Sequence, residues 1–206
     1  MAFDAGMLAC TLHEIRTVAL GGRIEKVMQP EKDEIVLQMR TLEGGRRLLI
    51  RTGSNPRIGF SSATRENPPQ APMFCMLLRK HLTGAKLSAV DQAGFERVAI
   101  LTFDTRDEMG FACQRHLIVE IMGKYSNLIF AGEPSAPDHA PYQGYKIISA
   151  LRTVDFSTSS KRQVLPGMAY ELPPAQDKEN PLETTKKSFV GLWEMASPDQ
   201  PLDKFI

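Results

Sequence analysis

Short strand-like runs recur through most of this chain and limit the folds open to it. One of them, EIVLQMR (34–40), alternates apolar and polar residues, as expected of an antiparallel strand with one solvated face. The next, RRLLIR (46–51), follows directly after a Gly44-Gly45 turn. Comparable runs, bounded by turn residues, occupy residues 23–29, 86–92, 97–103, 116–122, 127–132 and 145–151.

Two helices are expected among these strands. The first is capped by Asp4, ends at Gly21-Gly22 and carries apolar residues at helical spacing, which are Leu8, Leu12, Ile15 and Ala19. The second, MFCMLLRKHL (73–82), is apolar almost all round in its first half. That pattern predicts a buried helix with Met73 and Met76 in the core, since methionine clusters more often fill cores than bind cofactors.

The order helix, strands, helix, strands predicts an α+β fold with antiparallel β-sandwich-like sheets and flanking helices. We expect a domain core over residues 1–183. An extension over 184–206, with a short helix near 184–196, would lead into the remainder of a longer protein. A Pro-rich loop is expected over 133–144, and the Pro- and Gly-rich segment from Val164 on is expected to wrap the surface.

Composition narrows the classes of function. At 206 residues and 42% hydrophobic content the chain can form a core, and no window approaches the ~18 apolar residues of a membrane span. The N-terminus MAFDAGMLAC has an acid and no base, unlike a secretory signal. Three separated cysteines and four histidines without ligand spacing predict no disulfide framework, metal or cofactor. We therefore expect a cytoplasmic protein.

Basic residues are distributed unevenly, although the formal net charge is only +1. Between Arg40 and Arg65 there are six arginines and one acid, Glu43. Such a bias either marks a surface for an anionic partner or is a solvated face, and the residues alone leave both open. The cations Arg79 and Lys80 end the second helix, where they complement its dipole and could add nonspecific phosphate contacts.

HLIVEIMGKYSNLIFAG (116–132) reads as two apolar strands joined by a polar turn, with Glu120 inside the first strand. A carboxylate among apolar neighbours is costly unless it is paired. Gly123 predicts an unusual backbone conformation, and Lys124 and Asn127 belong to a dense set of donors on the turn. A simple hairpin with an Asn cap explains the same residues, so spacing alone favours a structural role.

AGFERVAIL (93–101) is the second place that a structural reading does not fully explain. Glu96 and Arg97 lie side by side where the strand begins. Neighbouring strand residues point to opposite faces, so the two do not form an ion pair across one face. An acid and a base at a strand start are usually just solvated, and a functional role stays open.

The chain resembles the N-terminal domain of the NFACT family, and the match runs from residue 3 to about 183. The segments that carry it, in the family's order, are FDAGML, GGRIEKVMQP, EIVLQMR, NPPQAPMFCMLLRKHLTG, the FER element, EIMGKYSNLIF, VLPGMAYELPP and NPL. The resemblance implies a ribosome-associated quality-control factor that recruits tRNA. The full-length protein would bind large ribosomal subunits with stalled peptidyl-tRNA and, in bacteria, support alanine tailing of the nascent chain.

The resemblance also implies which residues bind RNA. The family's N-terminal domain contacts tRNA, and an Asp-Arg pair that is important there falls on Glu96 and Arg97, where the acid is one methylene longer. Its Glu-Ile-Met element falls on Glu120 and the two residues after it. We expect Arg97, or another cation from the neighbouring strand, to pair with Glu120 and so point a rigid guanidinium at tRNA. The full predicted RNA-binding set is Glu96, Arg97, Glu120, Ile121, Met122, Lys124, Asn127, Arg79 and Lys80.

The family's fold is similar to the N-terminal domain of formamidopyrimidine-DNA glycosylases, which use an N-terminal proline amine as nucleophile. This chain begins Met1-Ala2-Phe3, so we expect no enzymatic activity of the domain and neither DNA nor a membrane as partner. Two other functions stay open. One is a fibronectin- or fibrinogen-binding surface adhesin, as an older family name suggests, and the other is a structural platform that organises a longer chain.

Overall fold

The computed structural model describes residues 3–134, 140–174 and 180–195. The chain divides into two compact units, Met1–Leu172 and Pro173–Ile206. The expected domain boundary at residue 183 stays a prediction. The elements of the first unit are α1 (Ala5–Ala19), β1 (Arg23–Glu31), β2 (Glu34–Thr41), β3 (Gly44–Arg51), β4 (Arg57–Phe60), α2 (Met73–Leu82), β5 (Lys86–Gln92), β6 (Val98–Arg106), β7 (Ala112–Glu120), β8 (Asn127–Pro134) and β9 (Tyr145–Ala150). The second unit contains α3 (Lys186–Met195), near the expected helix.

The described strands form one antiparallel sheet in the order β4-β3-β2-β1-β5-β6-β7-β8-β9. The α+β class with antiparallel strands is therefore confirmed. The sandwich of separate sheets is not what forms, because a pairing of Arg23 with Lys86 joins β1 to β5 and makes the two halves continuous. The four-residue edge strand β4 was not predicted, since its run is too short to show a period.

Helix α1 forms as the sequence predicts. Asp4 is its N-cap, and Oδ1 of Asp4 accepts a hydrogen bond of 2.8 Å from the backbone N–H of Met7. The four apolar residues at helical spacing are all buried. After the helix, a Cβ at Gly22 would lie 2.9 Å from the carbonyl oxygen of Ala19, so the close approach of chain segments there requires glycine.

Helix α2 has the predicted bounds, but the prediction that it is buried all round was wrong. Its buried residues are Phe74, Cys75, Leu78 and Leu82. Met73 and Met76 lie on the other side and are 84% and 52% exposed. The helix is therefore amphipathic, with one stripe in the core and two methionines facing solvent.

Strands β6, β7 and β8 are covered on both faces. Alternate residues such as Leu101, Leu117 and Ile121 join the core that contains both helices. The residues between them, such as Ile118, pack in a second core with Tyr170. The segment from Val164 on, which was expected to wrap the surface, instead buries Tyr170 completely. This second core surrounds the end of β7, where Glu120 lies.

Candidate functional site

Glu120, the last residue of β7, is only 2% exposed and is held by two side chains. Its Oε1 accepts a hydrogen bond of 2.6 Å from Nη2 of Arg162, and its Oε2 accepts one of 3.2 Å from Nη1. The hydroxyl of Tyr170 donates to the same Oε1 at 2.8 Å. A bidentate arginine and a phenol thus satisfy the buried carboxylate. We call these three residues the Glu120 cluster.

The Glu120 cluster behaves as one electrostatic unit. Burial acts to lower the pKa of Arg162, but the hydrogen bonds and charge of Glu120 outweigh it and raise that pKa. Burial, followed by the negative charge of Glu120, raises the pKa of Tyr170 well above its ordinary value. At neutral pH Arg162 is therefore charged and Tyr170 remains a hydrogen-bond donor.

The predicted pairing of Glu120 with Arg97 was wrong, and the register of the sheet gives the reason. Glu120 lies opposite Val98, which belongs to the second core. Arg97 lies one residue earlier and accepts a backbone hydrogen bond from Ile121, which faces the helix-containing core. Directly opposed residues share a face of the sheet and adjacent residues do not, so Arg97 leaves toward the other side.

Sequence reasoning missed Arg162 because no local pattern marks it. It follows Glu120 by 42 residues, in the loop between β9 and the end of the first unit. The one available signal was general: a carboxylate predicted within an apolar strand requires a cation from somewhere in the fold.

After β7 the chain forms a 3₁₀ turn, Gly123–Tyr125. The hydroxyl of Ser126 donates to the carbonyl of Gly123 at 2.7 Å and accepts from the N–H of Met122 at 2.8 Å. Gly123 has a φ of +54°, which confirms its predicted unusual backbone. The turn exposes Lys124 and Tyr125, with the ammonium of Lys124 5.0 Å from the ring centroid of Tyr125.

Asn127 ties the start of β8 to the chain that follows β9. Its Nδ2 donates to the carbonyl of Arg152 at 2.8 Å, and its Oδ1 accepts from the N–H of Arg152 at 3.0 Å. Nη1 of Arg152 in turn donates to the carbonyl of Lys124 at 3.0 Å. Asn127 is buried, so it positions Arg152 beside the turn and does not face solvent itself.

One half-buried and three exposed side chains at this end of the sheet form what we call the β7–β8 turn surface, which consists of Arg97, Lys124, Tyr125 and Arg152. Arg97 is half-buried, and its side chain has no hydrogen bond or ion pair within the described ranges of the chain. Glu96 beside it is exposed. The predicted site residues are therefore divided between exposed and buried positions. Met122 is half-buried, whereas Ile121 is 1% exposed and lies in the core.

Arg79 and Lys80 lie away from the β7–β8 turn surface. Lys80 forms an ion pair of 2.5 Å with Glu108, in the turn between β6 and β7. That turn is at the opposite end of β6 from Arg97, about 26 Å away for a strand of this length. Nε of Arg79 donates to the carbonyl of Val27 at 2.8 Å, so this side chain is committed to the fold.

Most of the arginines between 40 and 65 have partners. Arg40 pairs with Glu25 and Arg46 with Glu43. Arg51 and Arg65 both contact Glu31 and the buried Glu34, and Arg47 donates to Gln38 and Thr64. This region is thus largely neutralised within the fold, which favours the solvated-face interpretation over an anion-binding surface.

Two searches of the described residues bear on the class of site. No group of three or more His, Cys, Asp or Glu side chains in 3–134, 140–174 and 180–195 is arranged to hold a metal ion. Within the same part of the chain, the helices are too short or too polar to cross a membrane.

The sequence matches the profile of the family described as NFACT N-terminal and middle domains over residues 4–206. The chain therefore belongs to the NFACT family, as the sequence motifs predicted. The Rqc2 homolog RqcH of Bacillus subtilis (strain 168) is 38% identical over 191 residues, or 92% of this chain and 32% of that protein. Ribosome quality control complex subunit 2 of Schizosaccharomyces pombe is 26% identical over 185 residues, which are 89% of this chain and 16% of that protein. The chain spans about a third or less of these curated relatives.

A solved structure shares the fold. The crystal structure of the N-terminal domain of fibronectin-binding protein PavA from Streptococcus pneumoniae matches with a TM-score of 0.83 at 34% identity. The match covers 94% of this chain and 69% of that chain. The relatives thus carry two kinds of name, one from ribosome quality control and one from fibronectin binding.

Proposed function

We propose that this module binds tRNA, as the N-terminal part of an RqcH-like ribosome quality-control factor that acts in the cytoplasm. The full-length protein would bind large ribosomal subunits with stalled peptidyl-tRNA and support alanine tailing. The names of the relatives support the quality-control assignment, and the β7–β8 turn surface supports tRNA as the ligand of this module.

The observation that carries the proposal is the guanidinium of Arg97, which has no partner among the described residues and lies at the same end of the sheet as Lys124 and Arg152. Each of the three cations is anchored differently. Arg97 follows a backbone pairing with β7, Lys124 is on a turn fixed by Ser126, and Arg152 is bound to Asn127. The backbone at each cation is thus fixed, which places the three charges at defined positions for phosphate contacts.

Tyr125, the fourth residue of the surface, and the residues next to the surface also have chemical roles in this proposal. Tyr125 is 71% exposed and offers a face on which an unpaired base can stack. Glu96 can accept hydrogen bonds from a base amino group next to Arg97. The buried Glu120, Ile121 and Asn127 hold the platform and make no direct contact, and the Glu120 cluster fixes the end of β7 from behind.

The test is the binding of purified tRNA to the 206-residue chain as a function of salt concentration. Loss of one phosphate contact reduces the slope of log affinity against log salt by about 1. We expect Arg97→Gln, Lys124→Gln and Arg152→Gln each to weaken binding and to lower that slope.

Arg57→Gln is the matched control, because Arg57 is also half-buried, has no ion pair among the described residues, and lies on the edge strand β4. It removes the same charge far from the proposed surface. If the three surface variants bind tRNA with the affinity and slope of the wild type and of Arg57→Gln, the tRNA assignment of this surface fails.

The name of the PavA structure favours one further candidate, a surface adhesin that binds fibronectin. An adhesin must reach the cell surface, so labelling of intact cells separates the two functions. A platform role would instead leave the 206-residue chain without tRNA binding at any salt concentration while the full-length protein binds. The likeness to formamidopyrimidine-DNA glycosylases stays a prediction about fold, and we propose no glycosylase activity.

A further inference from the structure

A second basic region lies at the opposite end of the sheet from the β7–β8 turn surface. Here a groove of about 440 Å³ forms where the end of α2 meets the ends of β1, β5 and β6. We call it the Lys86 groove. Its lining includes the cations Arg23, Lys80, Lys86 and Arg106, together with Asp104.

Like charges are placed side by side across three strands in this region. Arg23 on β1 lies directly opposite Arg40 on β2 and directly opposite Lys86 on β5. Arg40 is paired with Glu25 at 2.8 Å, and Lys86 lies directly opposite Asp104 on β6. Cross-strand neighbours of the same sign destabilise a sheet, so an anion against Arg23, which has a cation on each side, would relieve that cost.

Two arginines of the groove are oriented by backbone groups and not by carboxylates. Nη1 of Arg23 donates to the carbonyl of Gly84 at 2.9 Å, and Nη1 of Arg106 donates to that of Gly110 at 2.8 Å. Neither guanidinium forms an ion pair with the residues that the structure describes. Their remaining N–H groups can meet a phosphate in the fixed geometry that arginine provides.

Three further side chains of the groove, Lys80, His81 and Asp104, add no net positive charge to it. Lys80 is already paired with Glu108, and Asp104 accepts from Gln114 at 3.0 Å. Burial, and then the charges of Arg115 and Lys80, lower the pKa of His81, which adds no positive charge at neutral pH. The groove is therefore net positive, because the charges of Arg23, Lys86 and Arg106 exceed the single negative charge of Asp104.

An exposed aromatic residue belongs to the turn that leads into the groove lining. Phe111 is 64% exposed and directly precedes Ala112, a lining residue that pairs with Arg106. Aromatic rings beside a positive groove are the means by which proteins stack unpaired bases while cations follow the backbone. A polyanion without bases would gain nothing from this ring.

We infer that the Lys86 groove binds single-stranded RNA, with Arg23, Lys86 and Arg106 on phosphates and Phe111 stacked on a base. The inference goes beyond tRNA binding at the β7–β8 turn surface and does not depend on it, because the groove lies about 26 Å away along β6. A protein that binds both would contact RNA at two ends of one sheet.

The test is binding of a fluorescent 12-nucleotide oligouridylate to the 206-residue chain, with inorganic polyphosphate as a second probe. We expect Lys86→Gln and Arg106→Gln to weaken oligouridylate binding about fivefold or more at low salt and each to lower the salt slope by about 0.7. Phe111→Ala should weaken oligouridylate binding and leave polyphosphate binding unchanged, because only the oligonucleotide has bases to stack. Lys146→Gln, on an exposed lysine of β9, is the charge-matched control.

A stability measurement adds a readout that does not depend on any ligand. Because Arg23 has a cation on each side, Arg23→Gln should raise the unfolding temperature by about 1–2 °C at low salt, and high salt should abolish that rise. Each of three results would overturn the inference: no oligouridylate binding by the wild type, groove variants that match Lys146→Gln, or equal weakening of both probes by Phe111→Ala. Arg97→Gln should leave oligouridylate binding intact, so failure of the tRNA proposal would be seen separately.

Discussion

Glu120 and Arg162, which are 42 residues apart in the chain, form a bidentate ion pair with its shorter hydrogen bond at 2.6 Å. The Glu120 side chain is 2% exposed and that of Arg162 13%. The pair fixes the loop after β9 against the end of β7, beside the turn that carries Lys124. The family element that resemblance assigned to RNA contact therefore begins with a residue that supports the surface from within.

Removing the charge of Glu120 should be costly. Glu120→Gln keeps a hydrogen-bond acceptor for Tyr170 but leaves the largely buried guanidinium of Arg162 without a counter-ion. We expect a loss of about 3 kcal/mol in the free energy of unfolding, measured by urea denaturation. The double variant with Arg162→Met should lose less than the two single variants together, and strict additivity would show that the pair is not coupled.

Asn127 should influence RNA binding through Arg152. Asn127→Ala removes both hydrogen bonds to the Arg152 backbone and should cost about 2 kcal/mol of stability. It should also weaken tRNA binding, because Arg152 is no longer held beside Lys124. Normal tRNA affinity in a folded Asn127→Ala protein would remove Arg152 from the proposed surface.

The two neighbouring cations at the end of α2 should respond differently to substitution. Arg79→Gln loses the hydrogen bond to Val27 and should reduce stability by about 1 kcal/mol, with no change in the salt slope of RNA binding. Lys80→Gln removes an exposed ion pair and should hardly affect stability. The check is a pair of urea denaturation curves with a salt titration for each variant. Equal stability of the two variants would argue against a structural role for Arg79.

Stability should fall on acidification because of His116. This histidine is 4% exposed, its Nδ1 lies 3.1 Å from the Thr102 hydroxyl, and its ring stacks on Tyr145. Burial lowers its pKa to about 4; the charge of Glu133 acts to raise this pKa, and that of Arg115 lowers it further. The unfolded chain takes up this proton near pH 6.5. The contribution of neutral His116 to stability is thus complete above about pH 6.5. As the pH falls toward 4, that contribution is lost, and the free energy of unfolding decreases by about 3 kcal/mol at most.

The measurement for this prediction is the free energy of unfolding between pH 4 and pH 7. His116→Gln should flatten the profile over that range, whereas His13→Gln, on an exposed histidine of α1, should leave it unchanged. An unchanged slope in His116→Gln would assign the acid sensitivity to other groups.

Local patterns predicted the elements of this fold well. Asp4 capped α1 as expected, and the bounds of α2 agree residue for residue with the expected run. These features depend on neighbours in sequence. The exposure of Met73 depends on which side of α2 meets the sheet, and a helix that is apolar almost all round gives no period from which to choose that side.

The candidate site was harder to predict because its decisive contacts are long-range. Gly123 was recognisable, since a tight turn calls for glycine. Arg162 and Tyr170 were not, because a loop rich in Pro and Gly carries no period that shows where it packs. The face of Arg97 could have been deduced from register, since a residue adjacent to the partner of Glu120 must point the other way.

The most direct test of the central claim is a photo-crosslink from the β7–β8 turn surface to tRNA. Tyr125 would be replaced by a photoreactive phenylalanine analogue, and the same analogue would be placed at Ser54, an exposed residue in the loop between β3 and the edge strand β4. We predict a tRNA crosslink from position 125 that Arg97→Gln weakens, and little crosslinking from position 54. Equal crosslinking from both positions, or none from position 125 under conditions where tRNA binds, would contradict it.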